Sequence, residues 1–316
     1  MSRPKKLPLA KGYLLKGYRI EKTLGGGGFS LVYLATQLDT QERVAIKEFL
    51  PASQAQRLAN GRVEPVSIES ARLFQHGIKR FFEEGSALAR VNHENIVHVT
   101  NFFRAHNTVY MVMRYEEGKD LRWYIKRHGR SLSEKFIRTV FPPLLLGLAE
   151  LHRNELLHLD IKPANIFLRA GGNPLLLDFG AAQRAYSGTR VNGPNTLTFG
   201  FAPIEQHEKR ELGAWTDLYA LGASMYACMS GLAPPPAPAR QTRDKYRPAL
   251  KTFSRHYSRR LLTAVDWCLE FDYRNRPQTV TELLQELEIR DAQPALARPW
   301  EYVSRLRELW QRVKWK

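Results

Sequence analysis

The chain is poor in cysteine and lacks long hydrophobic runs, and each shortage excludes a class of protein. Its 316 residues include two cysteines, Cys228 and Cys268, too few for a disulfide framework, so a cytoplasmic location is expected. No apolar run reaches the roughly eighteen residues that a membrane-spanning helix requires. The closest candidate, Leu218 to Ala233, is interrupted by glycine and serine and predicts a buried helix instead. The basic N-terminus has no apolar core of the kind found in signal peptides.

Acidic residues are also scarce relative to basic ones. The chain carries 48 lysines and arginines against 31 aspartates and glutamates, a formal net charge of +17. Such an excess favours weak association with acidic partners, nucleic acid or anionic lipid. The basic residues are nevertheless spread along the whole chain, without a motif that binds RNA or DNA. We therefore expect no specific nucleic-acid partner, and no feature of the sequence indicates an oligomeric state.

Strand patterns dominate the first part of the chain and helical patterns the second. Short β-branched or apolar runs separated by turn residues continue to about Asn107, whereas helical spacing prevails after Tyr115. This change predicts two lobes. The predicted organisation is a basic leader at 1–17, a strand-rich lobe at 18–113 with an insertion at about 51–76, a helical lobe at 114–290 and a basic C-terminal segment at 291–316.

One helix of the strand-rich lobe carries a carboxylate on its apolar side. A helix predicted over about 76–91 puts Glu84 on the same stripe as Phe81 and Leu88. A buried carboxylate needs a partner, and Lys47 on the preceding strand is the candidate. Further helices are predicted at 121–127, 134–152, 218–229, 261–269 and 279–289, the last opening with the capping pattern of Thr279 and Glu282.

Six short motifs follow one another in a fixed order along the chain. They are Gly25-Gly26-Gly27-Gly28-Phe29-Ser30-Leu31-Val32, Val44-Ala45-Ile46-Lys47, Glu84, His158-Leu159-Asp160-Ile161-Lys162-Pro163-Ala164-Asn165, Asp178-Phe179-Gly180 and Ala202-Pro203-Ile204-Glu205. A glycine run alone is more often a flexible turn than a functional loop. This one lies between two apparent strands, so it predicts a hairpin whose backbone N–H groups can close over phosphates. Phosphoryl transfer requires such groups from distant parts of a chain.

Together the six motifs resemble the signature set of the protein kinases. The resemblance covers about residues 18–290. Finer features, such as Lys47-Glu48-Phe49-Leu50-Pro51 before a long insertion, resemble bacterial serine/threonine kinases. The implied fold is α+β and bilobal, with a small β-rich N-lobe containing one key helix and a larger helical C-lobe. The implied activity is transfer of the γ-phosphoryl group of ATP to serine or threonine hydroxyls of protein substrates.

The resemblance also implies a role for each matching residue. Asp160 would accept the proton of the attacking hydroxyl and orient it, and Lys162 would neutralise charge on the moving phosphoryl group. Asn165 and Asp178 would hold Mg²⁺, with Mn²⁺ as an alternative ion. Lys47 would bind the α- and β-phosphates and would be oriented by Glu84. The residues expected around the nucleotide are Leu24, Gly25, Gly26, Gly27, Gly28, Phe29, Ser30, Val32, Ala45, Lys47, Met113, Tyr115, Asp120, Phe167 and Asp178.

Several of these nucleotide-site assignments are specific. Val32 and Ala45 would pack on one face of the adenine and Phe167 on the other. Met113 resembles the gatekeeper and Tyr115 belongs to the hinge, while Asp120 matches a position that binds ribose hydroxyls. Ser30 stands where such loops usually have a third glycine, which adds a side chain next to the phosphates.

Other matching residues imply structural roles. Thr198 would bond to Asp160 and Lys162, a feature of kinases that act on serine and threonine. Glu205 would pair with Arg276, and Asp217 would bond to the backbone of the catalytic loop. Leu159 replaces the arginine that commonly meets a phosphate on the activation segment, so activity should depend less on phosphorylation of that segment.

Two alternatives to an active protein kinase stay open. One is a pseudokinase that binds nucleotide or partners without catalysis, and the other is a small-molecule kinase of related fold. The C-terminal segment also has two interpretations. Its apolar residues recur at helical spacing among arginines and lysines, so residues 296–316 either pack on the chain's own large lobe or lie on the inner membrane surface or a partner protein.

Overall fold

A computed structural model describes residues 7–129, 131–178, 183–184 and 197–288. The chain divides into two compact units. The first contains the described residues up to Asn92 together with Val97–Glu116. The second contains His93–Ile96 and the described residues from Glu117 onward.

The first unit is built on a six-stranded antiparallel sheet. Its elements are β1 (Leu14–Leu15), β2 (Tyr18–Gly26), β3 (Ser30–Gln37), β4 (Arg43–Phe49), β5 (Ala55–Arg57), β6 (Val63–Pro65), α1 (Ile68–Leu88), β7 (Val99–Ala105) and β8 (Thr108–Arg114). The strand order of the large sheet is β1-β2-β3-β4-β8-β7, and β5 pairs with β6 in a separate hairpin. Alternation along the strands directs one set of side chains to each face of the sheet.

Helix α1 begins earlier than the sequence indicated. It starts after Ser67, whose hydroxyl accepts a hydrogen bond from the N–H of Ser70 at 3.2 Å, and it ends at Leu88. The prediction of a helix over about 76–91 was therefore wrong at its N-terminal end. The predicted insertion over about 51–76 stays a prediction; the stretch contains the β5–β6 hairpin and the first turns of α1.

Two glycines let α1 approach its neighbours closely. A Cβ atom at Gly77 would lie 2.4 Å from Cζ of Phe49, and one at Gly85 would lie 1.7 Å from Cζ of Phe102. Both distances are far inside van der Waals contact, so any side chain at these positions would displace the helix or the rings. Phe49 also contacts Phe74 and Phe81, with ring centroids 5.8 Å and 5.6 Å apart. These aromatic contacts fasten α1 to β4.

The opposite face of β4 carries a buried ion pair. Glu48 is fully buried and accepts from Nη2 of Arg57, which lies on β5. The hydroxyl of Tyr33 donates to Oε2 of Glu48 at 2.7 Å, and that of Tyr110 donates to Oε1 at 2.5 Å. Arg57 also donates from Nε to the carbonyl of Leu7 at 2.9 Å. This cluster ties the β5–β6 hairpin and the residues before β1 to the sheet.

The second unit is mainly helical. Its elements are β9 (Gly118–Asp120), α2 (Leu121–Arg127), α3 (Glu134–Arg153), β10 (Leu156–Leu157), β11 (Ile166–Arg169), β12 (Pro174–Leu176), β13 (Gln183–Arg184), α4 (Ile204–Glu208), α5 (Ala214–Ser230), α6 (Ala237–Thr242), α7 (Ala249–Phe253), α8 (Arg259–Cys268), a 3-10 helix (Tyr273–Asn275) and α9 (Val280–Glu288). The strands form a three-stranded sheet β12-β11-β9 and a two-stranded sheet β10-β13.

Helix α5 lies at the centre of this unit. Every residue from Thr216 to Met229 is buried, and the helix ends at Ser230. Gly231 caps it with a φ of 77°, the left-handed conformation that favours glycine. The predicted buried helix is thereby confirmed. Cys228 and Cys268 are both free and buried, and burial raises the pKa of each thiol. No helix within the described ranges combines the length and apolar character needed to cross a membrane.

Candidate active site

The centre of the site is a set of bonds around Asp160. Nζ of Lys162 lies 2.8 Å from Oδ1 and 2.7 Å from Oδ2 of Asp160, and 3.0 Å from Oγ1 of Thr198. The hydroxyl of Thr198 donates to Oδ1 of Asp160 at 3.0 Å. The side chains of Asp160 and Lys162 are each 23% exposed, so the carboxylate is held in place and remains open to an incoming molecule. The predicted contacts of Thr198 with both residues are confirmed.

Asn165 holds the other side of the same carboxylate. Its Nδ2 donates to the backbone carbonyl of Asp160 at 2.8 Å and to Oδ2 at 3.0 Å. These bonds engage the amide nitrogen and leave the amide oxygen as the atom that can coordinate a cation. The N–H of Leu177 donates to the carbonyl of Asn165 at 2.8 Å, which brings the next residue, Asp178, to the same region. Asp178 is exposed and has a φ of 59°.

The donor set of Asn165 and Asp178 fits a magnesium ion. Mg²⁺ is usually bound through one or two carboxylates together with substrate phosphates and water, rather than by a closed protein cage. Within the described ranges no group of three or more histidine, cysteine or carboxylate side chains could hold a metal ion by itself.

Asp217 on α5 fixes the backbone of the catalytic loop, as predicted. It accepts from the N–H of His158 at 2.9 Å and from that of Leu159 at 2.8 Å. Nε2 of His152 donates to the same carboxylate at 2.9 Å. Burial alone would raise the pKa of Asp217, but the hydrogen bond and charge of His152 outweigh it and hold that pKa below its usual value. Leu159 has a φ of 60°, a costly conformation for a leucine, and these bonds maintain it.

His158 is a neutral structural residue in this arrangement. Its Nδ1 accepts from the N–H of Asp160 at 3.2 Å, and its Nε2 donates to the carbonyl of Leu177 at 3.1 Å. The ring is completely buried, and that burial lowers its pKa despite the nearby carboxylates. His158 therefore joins the loop that carries Asp160 to the segment that carries Asp178.

The segment after Thr198 is attached to the helical core by a buried ion pair. Nη1 of Arg276 lies 2.6 Å from Oε1 of Glu205, and both side chains are 0% exposed. The predicted pairing is confirmed. Two further contacts were not predicted: the bond of His152 to Asp217, and a bond of 3.0 Å from Nε2 of Gln206 to the carbonyl of Leu159. The one sequence feature that could have indicated the contact of Gln206 is its position directly after Glu205.

The first unit holds the residues expected to contact nucleotide phosphates. Lys47 lies on β4, is 7% exposed, and places Nζ 5.6 Å from the centre of the Phe81 ring on α1. Glu84 follows Phe81 by one helical turn, so both lie on the α1 face turned toward the strand that carries Lys47. The direct pairing of Lys47 with Glu84 stays a prediction.

The residues expected to pack on adenine in this unit share one face of the sheet. Val32 is registered with Lys47, and Ala45 with Met113. Because Ala45 and Lys47 are two apart on one strand, all four side chains project to the same side. Met113 is buried, whereas Val32 and Ala45 are partly exposed and available for contact.

The glycine-rich run forms the predicted hairpin between β2 and β3. Gly26 is registered with Leu31, and the N–H of Gly27 donates to the carbonyl of Ser30 at 3.1 Å. A Cβ at Gly26 would lie 2.8 Å from that same carbonyl, so a side chain cannot be accommodated without a shift. Leu24 and the four glycines Gly25, Gly26, Gly27 and Gly28 are exposed. A ligand could therefore reach these residues from solvent.

The end of the hairpin is tied to the strand that carries Lys47. The N–H of Leu50 donates to the carbonyl of Phe29 at 2.9 Å, and that of Ala52 to the carbonyl of Gly28 at 3.0 Å. The residues directly after β4 thus extend its ladder along the glycine-rich run.

Three further predicted nucleotide residues have defined positions. In the first unit, the guanidinium of Arg43 lies 5.4 Å from the centre of the Tyr115 ring. In the second, Phe167 on β11 is registered with Asp120 at the end of β9. Asp120 caps α2 by accepting from the N–H of Trp123 at 3.0 Å, a structural role in addition to the predicted contact with ribose. Phe179, Gly180 and the segment 296–316 lie outside the described residues.

Comparison with known proteins identifies the arrangement. The protein kinase domain family matches residues 18–287. Serine/threonine-protein kinase PknA of Nostoc sp. strain PCC 7120 is 28% identical over 284 residues, which cover 86% of this chain and 47% of that protein. Serine/threonine-protein kinase PrkC of Bacillus subtilis is 30% identical over 220 residues, which cover 69% of this chain and 31% of that protein. The chain thus spans less than half the length of these two relatives.

A solved structure agrees with the sequence comparisons. PpkA-294 in its apo form matches with a TM-score of 0.80 and 33% sequence identity, covering 89% of this chain and 99% of that one. The α+β fold with a β-rich N-lobe and a helical C-lobe is accordingly that of the protein kinases. The chain belongs to the protein kinase family, and within it to the bacterial-type serine/threonine kinases.

Proposed function

We propose that this chain is an ATP-dependent serine/threonine protein kinase that transfers the γ-phosphoryl group of ATP to hydroxyl groups of protein substrates. One observation carries the proposal: Lys162, Asn165 and Thr198 all bond to the carboxylate of Asp160. A carboxylate fixed from three sides and still open to solvent is suited to receive and orient a substrate hydroxyl.

The roles of the site residues are part of this proposal. Asp160 accepts the proton of the attacking hydroxyl and aims its oxygen at phosphorus. The ammonium group of Lys162 contacts Asp160, and its positive charge would offset the negative charge on the transferred group. Thr198 holds the side chains of Asp160 and Lys162 in position. Because no covalent intermediate is needed, positioning and charge neutralisation supply most of the rate.

ATP and a divalent ion are the proposed cofactors. Lys47, oriented by Glu84, binds the α- and β-phosphates, and the exposed glycine-rich run covers them. Asn165 and Asp178 would hold Mg²⁺, or Mn²⁺ as an alternative, and the ion would offset the charge that develops on the phosphate groups. Adenine packs against Val32, Ala45, Met113 and Phe167, with the backbone around Tyr115 as its hydrogen-bonding partner and Asp120 at the ribose.

Domain roles and location complete the proposal. Residues 18–113 serve as the N-lobe and 114–290 as the C-lobe, with 291–316 as a basic C-terminal segment. The two free buried cysteines support a cytoplasmic location.

A pseudokinase is disfavoured because every group that the reaction needs is present. A small-molecule kinase is disfavoured by the bonds of Thr198 to Asp160 and Lys162, which place the segment expected to contact a protein substrate at the catalytic carboxylate.

The test is incubation of the full chain with labelled ATP·Mg²⁺ and a generic protein substrate. Asp160→Asn should lower the rate of phosphoryl transfer by about 10²–10⁴-fold. Asp178→Asn should lower that rate at least as much. Asp39→Asn, at an exposed turn, is the matched control and should transfer at the wild-type rate. Equal incorporation by all four proteins would show that the activity belongs to a contaminant and would refute the proposal.

A further inference from the structure

Helix α2 and the residues just before it carry several positive charges. Between Gly118 and Gly129 the only acidic residue is Asp120, whereas Lys119, Arg122, Lys126 and Arg127 are basic. All four basic residues are exposed. Asp120 is occupied in capping the helix, and its Oδ2 also lies 2.9 Å from Nη2 of Arg122. The excess positive charge is therefore not neutralised within this stretch.

We call the surface formed by Lys119, Arg122 and Lys126 the α2 basic face. Arg122 and Lys126 are four residues apart on α2. Residues four apart on a helix are neighbours, and two like charges at this spacing repel each other. Among the described residues neither Lys119 nor Lys126 has an ion-pair partner. A bound anionic group would offset that repulsion.

The helix that carries the α2 basic face is hydrogen-bonded to the catalytic loop. The N–H of Arg122 donates to the carbonyl of Pro163 at 3.3 Å, and Pro163 belongs to the same loop as Asp160 and Lys162. Asp160 and Pro163 are three residues apart, a span of roughly 10 Å at most, so the backbone nitrogen of Arg122 lies within roughly 13 Å of the backbone of Asp160. A peptide whose acceptor hydroxyl meets Asp160 would bring its neighbouring residues over this surface.

The guanidinium of Arg122 can accept a further carboxylate. Its side chain is 66% exposed, and it carries five N–H donors of which Asp120 engages only part. An exposed pair with Asp120 is weak, so it offers little competition to an incoming anion.

We propose that the α2 basic face selects protein substrates that carry an acidic side chain within about four residues of the phosphorylated serine or threonine. This inference rests on the proposed kinase activity and names its substrate class. Arg122 makes the main contact with the acidic side chain of the substrate. Lys119 and Lys126 extend the positive surface to acidic residues at other positions of the peptide. A peptide fits better than a nucleic acid or a membrane because the face is bonded to the loop that holds Asp160.

The test uses a series of serine peptides in a neutral background. Glutamate is placed in turn at each of the four positions on either side of the acceptor, and matched peptides carry glutamine or lysine there. For the wild-type chain, kcat/KM at saturating ATP should be about threefold to fivefold higher for glutamate than for glutamine at the favoured position. The preference should shrink as salt is added, because exposed charges are screened.

Charge reversal distinguishes a specific contact from general damage. In Arg122→Glu the order of the peptides should invert, with lysine preferred over glutamate, a result that misfolding cannot produce. Arg274→Glu is the matched control, since Arg274 is 75% exposed and pairs with Asp272 two residues earlier, just as Arg122 pairs with Asp120. It should keep the wild-type preference.

Each remaining outcome overturns the inference. Transfer to all peptides without an acidic preference, or a preference unchanged in Arg122→Glu, would refute it while leaving the kinase activity intact. Transfer to no peptide and no protein would remove both. Binding of phosphatidylserine vesicles or duplex DNA that is lost in Arg122→Glu, without any peptide preference, would assign the face to those partners instead.

Discussion

The hydroxyl of Thr198 and the carboxylate of Asp160 lie 3.0 Å apart although 38 positions separate them in the sequence. The same hydroxyl oxygen accepts from Lys162, so one side chain keeps the base and the cation together. Thr198→Ala should lower kcat by roughly 100-fold, the scale on which small misplacements act. Steady-state kinetics at saturating ATP would measure the loss.

Thr198→Ser retains the hydroxyl and should recover most of that rate. Thr252→Ala, at an exposed site on α7, serves as the control and should match the wild type. A Thr198→Ala protein with wild-type kcat would show that the bond to Asp160 has no part in positioning.

The buried pair of Glu205 and Arg276 should be a major source of stability. Arg276→Met leaves an uncompensated carboxylate in a dry environment and should lower the free energy of unfolding by about 3–5 kcal/mol. Urea titration followed by circular dichroism would detect it. Adding Glu205→Gln should restore part of the loss, because the stranded charge is removed. Arg274→Met, a nearby exposed change, should alter the midpoint little; similar midpoints for Arg274→Met and Arg276→Met would contradict this account.

The cluster around Glu48 should act in the same way in the first unit. Arg57→Met leaves Glu48 buried with two tyrosine hydroxyls but no cation, and a loss of about 3–5 kcal/mol is expected. Tyr33→Phe removes one hydrogen bond to a charged group and should cost about 1.5–3 kcal/mol. Melting temperatures of the two variants would rank them. Arg62 is exposed on the same hairpin, so Arg62→Met should have the melting temperature of the wild type. Melting temperatures lowered equally by Arg57→Met and Arg62→Met would count against the buried pair.

The contact of Gly85 with Phe102 should make α1 sensitive to a single methyl group. Gly85→Ala would place Cβ 1.7 Å from Cζ of that ring, so the helix must shift, at a cost of about 1–3 kcal/mol. The melting temperature should fall accordingly. Combining it with Phe102→Leu should recover the loss by making room, whereas Ser86→Ala on the next position should be neutral. A Gly85→Ala protein as stable as the wild type would show that the ring moves freely.

Stability should fall as the pH drops below about 6.5, the ordinary pKa of histidine. Burial lowers the pKa of His93 and of His158 in the folded chain. Unfolded histidines therefore take up protons that the folded ones resist, and acid favours the unfolded state until the folded pKa values are passed. Nδ1 of His93 accepts from the N–H of Asn95 at 3.1 Å, a bond that protonation would break.

Melting temperatures measured from pH 8 to pH 5.5 would check this dependence. His93→Asn keeps an acceptor at the same place without titrating, so its curve should be flatter than that of the wild type. His76→Asn, on the exposed side of α1, should leave the curve unchanged. Parallel curves for all three proteins would exclude His93 as a contributor.

The residues around Asp160 could be predicted because their signals are short and local. Asp160, Lys162 and Asn165 stand within six consecutive positions, and the contacts of Thr198 and of Asp217 followed from the same resemblance. Helix α2 was predicted with the observed ends. The bond of His152 to Asp217 could not be found in this way, because its partners are 65 positions apart and neither belongs to a shared motif.

The β5–β6 hairpin escaped prediction for a physical reason. Its strands have three residues each, too few to show a period, and the partners that justify burying Arg57 lie on β4 and β8. The start of α1 was missed because Ile68 and Leu73 are 88% and 55% exposed. Apolar residues on the solvent side obscure the apolar periodicity of the first turns of α1. From Phe74 onward the apolar residues recur at regular helical spacing.

The hydrogen bonds that Asp217 accepts from two successive N–H groups have a thermodynamic consequence. Those groups belong to the catalytic loop, and the carboxylate belongs to a helix that has no solvent-facing side between Thr216 and Met229. The loop is thus preorganised by the interior of its own unit, and little conformational entropy remains to be lost when a substrate arrives. Changes deep within α5 should consequently alter turnover from a distance, without touching any reacting atom.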